Sequence, residues 1–281
     1  MTGWKFAFSR RWAGYLAIAI LFAAACAGLG MWQVARRDEA LAEIAKVTAN
    51  WDSAPIPVTE ALPALDAFTA SQKWLPVTLT GTYLADEQML ARNRPLNGMP
   101  GFEVLTPLQL ADGTVFIVDR GWVSPGSKQD APDFVPDAPS GQVTVVARLK
   151  AGEPNLVGRS ASGNQVATIN LNDIAKRLGT PTYTGAYGLM ASENPAPDTR
   201  PTAVVRPPAD EGPHLSYAFQ WFVFGVLAFL GLAWAVREEY RNVNSEDPEE
   251  QKRAEERERR RAAKPRSDAE IEDELLNSSR S

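Results

Sequence analysis

The chain has 281 residues, of which 44% are apolar and 22% charged, with a formal net charge of −5. One cysteine, Cys26, excludes an internal disulfide and any Cys-x-x-Cys centre. One histidine, His214, excludes most zinc sites and every Ser-His-Asp or Cys-His arrangement in the rest of the chain. The acidic balance, without a basic stripe, excludes a nucleic-acid footprint.

Residues 1–11 hold Lys5, Arg10 and Arg11 and no acid, and residues 12–34 follow without a charge. That run is long enough to cross a bilayer. It continues well past Cys26, whereas the apolar core of a signal peptide is shorter, so an uncleaved anchor is expected. Trp12 and Trp32 stand near its two ends, where aromatic belts form. Ala24-x-x-x-Gly28 here and Gly231-x-x-x-Ala235 later are spacings that let membrane helices approach. Leu41, Ile44, Ala45 and Val47 recur at helical spacing, so the helix is expected to run on to about Trp51, where Asp52-Ser53-Ala54-Pro55 stops it.

After a Pro-punctuated connector with one short helix, the period changes to two. Val77, Leu79, Gly81 and Tyr83 alternate with Thr78, Thr80 and Thr82, the pattern of a half-buried strand. A second strand is predicted over 87–93. Runs 102–110 and 114–120, joined by Ala111-Asp112-Gly113, read as a hairpin, and Gly121-Trp122-Val123 closes its second strand. Trp122 is expected to serve the β core. Further strands are predicted over 143–149, 164–169 and 183–191, with Gly185 and Gly188 as candidates for a bulge. Residues 199–205 are one more candidate strand. Asn170 as cap, Asp173 in the first turn, Lys176 and Arg177 in the last, and Gly179 just beyond define a helix over 171–178.

From Leu215 to Val236 there is again no charge, and Arg237 ends the run. His214, Tyr217 and Trp221 fall at i, i+3 and i+7, one face of the first two turns of a membrane-length helix. Interfacial Tyr and Trp need no function by themselves. The tail, 237–281, is almost entirely charged around 249–261 and lacks an apolar stripe; it is a solvated helix held by Glu–Arg pairs or simple disorder, and is expected to be mostly disordered.

The fold class expected is a membrane protein: two transmembrane helices (12–34 and 214–236) flanking a mainly antiparallel β (α+β) extracytoplasmic domain (35–213). A cytoplasmic N-terminus (1–11) and a charged cytoplasmic tail (237–281) complete it. Lys5, Arg10, Arg11, Arg237 and Arg241 flank the spans on one side, so both termini are expected to be cytoplasmic and the protein multi-pass in the plasma membrane.

Four stretches in order resemble the Surfeit locus protein one family of cytochrome c oxidase assembly factors. They are Met31-Trp32-Gln33 with Arg36, Val77–Tyr83, Val118-Asp119-Arg120-Gly121-Trp122-Val123, and His214-Leu215-Ser216-Tyr217-Ala218 with Trp221-Phe222. The resemblance covers about 30–236 and does not reach the tail. It implies no enzyme, but a factor that delivers or retains haem a, transiently bound, with oxidase subunits and the lipid bilayer as partners and no nucleic acid. His214 is the residue it points to for the haem iron. Tyr217, Trp221, Trp32 and Arg36 are the neighbouring candidates. Arg36 is a propionate partner or an ordinary membrane-end cation, and Met31 a sulfur donor or simple packing. The alternative is a non-haem accessory subunit stabilising the terminal oxidase or a respiratory supercomplex. A copper chaperone is disfavoured, because thiolate and clustered Met/His sites are missing.

Overall fold

The computed structural model describes residues 3–127, 131–156, 158 and 161–263. In chain order the elements are helix α1 (Arg10–Asn50), strand β1 (Ile56–Pro57), helix α2 (Val58–Ala61), and strands β2 (Pro76–Tyr83), β3 (Met89–Arg92), β4 (Phe102–Leu110), β5 (Val115–Val123), β6 (Gln142–Ala151) and β7 (Gln165–Val166). Helix α3 (Leu171–Leu178), strand β8 (Ala186–Asn194), and helices α4 (His214–Val243) and α5 (Pro248–Ala262) complete it. Two compact units result: Met1–Asp38 with Gly212–Ser281, and Glu39–Glu211.

The β unit is organised by closure. Its sheet runs β1-β2-β6-β8-β5-β4-β3-β7, and a further β2–β4 pairing joins β2, β6, β8, β5 and β4 into a ring. The pairings are antiparallel except β1–β2, β3–β7 and β5–β8, so "mainly antiparallel" describes the sheet. Gly81 permits the closure. A Cβ built there would lie 2.2 Å from the Gln109 carbonyl oxygen, so only glycine lets β2 and β4 approach this closely.

Alternation then sorts the strand residues onto two faces. Val77, Leu79, Val143, Val145, Ala147, Phe116 and Val118 pack together on the enclosed face. Leu105, Val115, Ile117, Tyr187 and Leu189 point the other way, where Leu171 and Ile174 of α3 and Val47 and Trp51 cover them. Burial on both faces is why β5 opens with four consecutive apolar residues, Val115 to Val118.

The hairpin forms as expected, with Gly113 at φ +81 in its turn. Helix α3 also matches its signals: the Asn170 side chain accepts from the Asp173 amide, and Gly179 sits in the left-handed region at φ 66. The β8 bulge lies elsewhere than expected. Its register shifts between Val146 and Ala147, opposite Ser192 and Met190, so Ala191 is the extra residue. Gly188 instead makes room for Phe116 and Ala147. The candidate strand 199–205 is reduced to one bridge, Thr202 to Trp122.

In the other unit, α1 and α4 are both long and apolar enough to cross a membrane. They run antiparallel: Gln33 meets His214, Gly30 meets Phe222, Cys26 meets Gly225, and Arg11 meets Glu239. The contact stripe is made of small residues. A Cβ on Gly30 would lie 2.8 Å from the Phe222 ring, and one on Gly225 would lie 3.6 Å from the Cys26 Cβ. Gly28 and Gly231, expected to mediate this approach, have nothing within 4 Å of a built Cβ. Ile18, Leu21, Phe219 and Leu230 are exposed, an apolar exterior suited to lipid rather than water.

Two expectations need correction. Trp12 is not an outward belt residue but is buried, edge-on to Phe6 at 5.9 Å and Tyr15 at 5.4 Å. The tail is not disordered as far as it is described: α4 continues to Val243 and α5 spans Pro248–Ala262. Charge pairs one turn apart, Glu249–Arg253 and Glu250–Arg253, support α5 without an apolar stripe. Residues 264–281 lie outside the described residues.

Candidate functional site

His214 is the first residue of α4. Its Nδ1 lies 2.9 Å from Gln33 Oε1, so the two apolar helices are tied by a side-chain hydrogen bond at one shared end. With the amide oxygen of Gln33 as acceptor, Nδ1 is the donor, and a neutral ring in this tautomer carries its lone pair on Nε2. Gly212, at φ +71, passes the same ring. A Cβ there would sit 3.4 Å from both Cδ2 and Nε2, so glycine keeps that edge of the imidazole open.

The other candidates are arranged by helical geometry. Each residue turns an α-helix by roughly 100°. Taking Cys26, Gly30 and Gln33 on α1 and Ala218 and Gly225 on α4 as the facing stripe, Phe222 covers Gly30 on one flank of the pair. Trp32, Arg36 and Tyr217 fall on the opposite flank, the one toward which His214 and Gln33 lean. Trp221 stands nearer the seam and packs edge-on against Phe224, with ring centroids 6.0 Å apart. Trp32 is 56% exposed and Tyr217 48% exposed, so broad aromatic surface flanks the histidine. Met31 projects from the far flank and is exposed.

Gln33 was quoted in a motif but given no role by sequence reasoning, because a glutamine near a helix end has no distinguishing pattern. A second set of buried polar residues includes Asp119 and Arg120, which sequence reasoning quoted in a motif without naming their partners. On β5, Arg120 points to the enclosed face and Asp119 to the covered one, both fully buried. Arg120 donates to Glu193 at 3.1 Å and to the carbonyls of Pro136 and Asp137 at 3.0 Å each. Glu193 also accepts from the Tyr83 hydroxyl at 3.0 Å, whose own ionisation is pushed up by burial and by that carboxylate.

Asp119 is less well provided for. One oxygen accepts from the Gly121 amide at 3.0 Å, and the other has no hydrogen-bond partner among the described residues. Burial, reinforced by the Glu103 carboxylate, pushes its pKa up to about 8. Burial raises Glu103 as well. Burial and the charge of Asp119 raise Tyr187, whose hydroxyl is likewise unpaired. Arg94 grips Glu153 through two parallel bonds of 2.8 and 2.6 Å. Its Nε stands 3.2 Å from Glu103 Oε2, close enough for an ion pair but out of line for a hydrogen bond. Trp122 is only half-buried. Its indole donates to the Arg94 carbonyl at 2.7 Å and covers Gly101, so it is a lid over this arginine rather than a core residue. No group of three or more His, Cys, Asp or Glu among the described residues is placed to hold a metal ion.

A closed β unit encoded between two antiparallel helices of membrane length, with a hydrogen-bonded histidine where those helices meet, defines the architectural class. The chain belongs to the SURF1 family, whose model matches residues 20–226. That family is, in general, one of cytochrome oxidase assembly. An uncharacterized SURF1-like protein of Mycobacterium tuberculosis is 34% identical over 236 residues, 81% of this chain and 85% of its own length. A SURF1-like protein of Monosiga brevicollis is 36% identical over 107 residues, 34% of this chain and 40% of that one. A SURF1-like protein of Rickettsia bellii is 25% identical over 201 residues, 69% of this chain and 79% of that one.

Proposed function

We propose that this protein is a membrane-anchored, non-catalytic assembly factor for haem-a-containing cytochrome c oxidase that assists haem a delivery or insertion. The observation that carries the reading is the His214–Gln33 pair. A hydrogen bond at Nδ1 fixes the tautomer and ring plane, which is how proteins prepare the other nitrogen as an iron ligand. Gly212 leaves that edge accessible. The residues therefore suit haem a as cargo: His214 would hold its iron, Arg36 would face a propionate, and Trp32, Tyr217 and Trp221 would offer apolar surface to the ring. Haem supplies the redox-active iron that the oxidase requires, and this chain's part is to bind and orient it.

The reading also holds that both termini are cytoplasmic, with the β unit outside and oxidase subunits as partners at the plasma membrane. Supporting this are Lys5, Arg10 and Arg11 before one apolar run, and Arg237 and Arg241 after the other. Reporter fusions at residue 130 are expected to read extracytoplasmic, and fusions just after Val243 cytoplasmic.

The decisive experiment is the visible spectrum of the purified protein with His214 intact and as His214→Ala. Low-spin haem absorption is expected to disappear in the variant. Oxidase activity in cells should fall while the amount of the variant in the membrane stays constant. Unchanged haem content would defeat the haem reading and leave a structural accessory subunit as the better account.

A further inference from the structure

We propose that the groove between the end of α4 and helix α5 is a binding site for an anionic phospholipid. The proposal rests on the reading of α4 as a membrane span. The groove encloses about 530 Å³. Its floor is Phe229, Leu232 and Val236, the last two turns of the uncharged run. Trp4 forms a wall, its ring stacked on Tyr240 at 4.3 Å. Across the rim stand Arg237, Arg241, Arg253 and Arg257, against one carboxylate, Glu250.

The two halves of the groove ask for different chemistry in one ligand. Phe229 to Val236 rise about 10 Å along the helix, at the depth where acyl chains end, and Arg237 and Arg241 follow in the next turn, where phosphates lie. An apolar chain joined to a phosphate meets both. A free phosphate would leave the floor empty, and a neutral lipid would leave the cations unanswered.

Part of the rim charge is answered within the protein, Arg253 standing 3.6 Å from Glu249 and 3.8 Å from Glu250, and part is left for an external anion. Glu250 is buried and accepts from Arg257 at 2.7 Å within α5, and both residues line the groove. Arg241 pairs with Glu238 at 3.0 Å. Arg237 has no ion-pair partner among the described residues, although it is the first charge met on leaving the apolar run. These residues lie outside the stretch 20–226 that matches the family.

The test uses the full chain in a neutral detergent, incubated with phosphatidylglycerol or with phosphatidylcholine of the same acyl chains, and counts retained lipid by native mass spectrometry. Phosphatidylglycerol is expected to be retained in preference. Arg237→Gln and Arg253→Gln should each lower that retention about fivefold. Equal retention of the two lipids, or unaltered retention in both variants, would overturn the site. So would displacement of phosphatidylglycerol by millimolar inorganic phosphate, which would reveal a phosphate site with no use for the floor. A carbonate wash of native membranes separates this from the underlying reading. Protein that resists the wash but does not discriminate the lipids loses only the lipid site, whereas protein released by the wash loses the span and the site together.

Discussion

Asp119 and Arg120 are neighbours on one strand, equally buried, and they meet opposite fates. The arginine side is a mutual arrangement: guanidinium, carboxylate, phenol and two carbonyls answer one another. The aspartate side leaves a carboxylate oxygen and the Tyr187 hydroxyl unanswered. What separates them is topology. The enclosed face brings β2, β8 and the segment around Pro136 to Arg120 from several directions. The covered face meets Asp119 with burial and a rival carboxylate, Glu103, which the more weakly acting cations Lys150 and Arg94 do not offset. A buried charge is tolerable when its partners are built in, and is otherwise discharged by taking up a proton.

The harshest way to break this comparison is Arg120→Met. It strands Glu193 without its cation in a closed space and should cost about 3–5 kcal/mol, the range for removing one partner of a buried pair. Denaturant unfolding of the detergent-solubilised protein would measure it. A loss below 1 kcal/mol would mean that the arginine side is no better satisfied than the aspartate side.

Asp119→Asn probes the other face through pH. The folded-state value, about 8, lies above the ordinary carboxylate value of 3.8, so the folded protein binds this proton more tightly than the unfolded chain does. Stability from this group is therefore full at acid pH and drains away as pH rises from about 4 to about 8, on the order of 1 kcal/mol per pH unit. The asparagine variant should lack that slope and overtake the native protein toward pH 8. Parallel stability curves for the two proteins would show that Asp119 is ionised throughout.

The smallest effect is expected at the lid. Trp122→Phe keeps most of the ring against Gly101 but loses the 2.7 Å bond to the Arg94 carbonyl, at about 1 kcal/mol. A much larger loss would make Trp122 the core residue that sequence reasoning expected.

Much of this was legible in the sequence, and the limits have physical causes. The hairpin and α3 were readable because their signals are local: a glycine turn, an asparagine cap, a glycine stop. His214, Tyr217 and Trp221 were readable together because helical spacing is local too. Barrel closure was not, since alternation identifies a strand without naming its partner, and the β2–β4 contact hangs on one glycine within the threonine-rich run. The Arg94–Glu153 pair joins residues 59 apart, and neither has a pattern that points to the other. Helix α5 was one of two readings and the less favoured, because a segment without an apolar face gives periodicity nothing to detect.

The bond between Gln33 and His214 also has a place in time. The two residues are 181 positions apart, and every strand of the barrel is encoded between them. At roughly 5–20 residues per second, Gln33 leaves the ribosome some 10–40 s before its partner exists. The first apolar helix must therefore persist alone, its glutamine unanswered, while the whole β unit is synthesised. The bond closes only when the last strand has been made and the chain has returned to the first helix. Its formation is thus a record of completed biosynthesis, and a chain cut short anywhere in the barrel never receives the histidine.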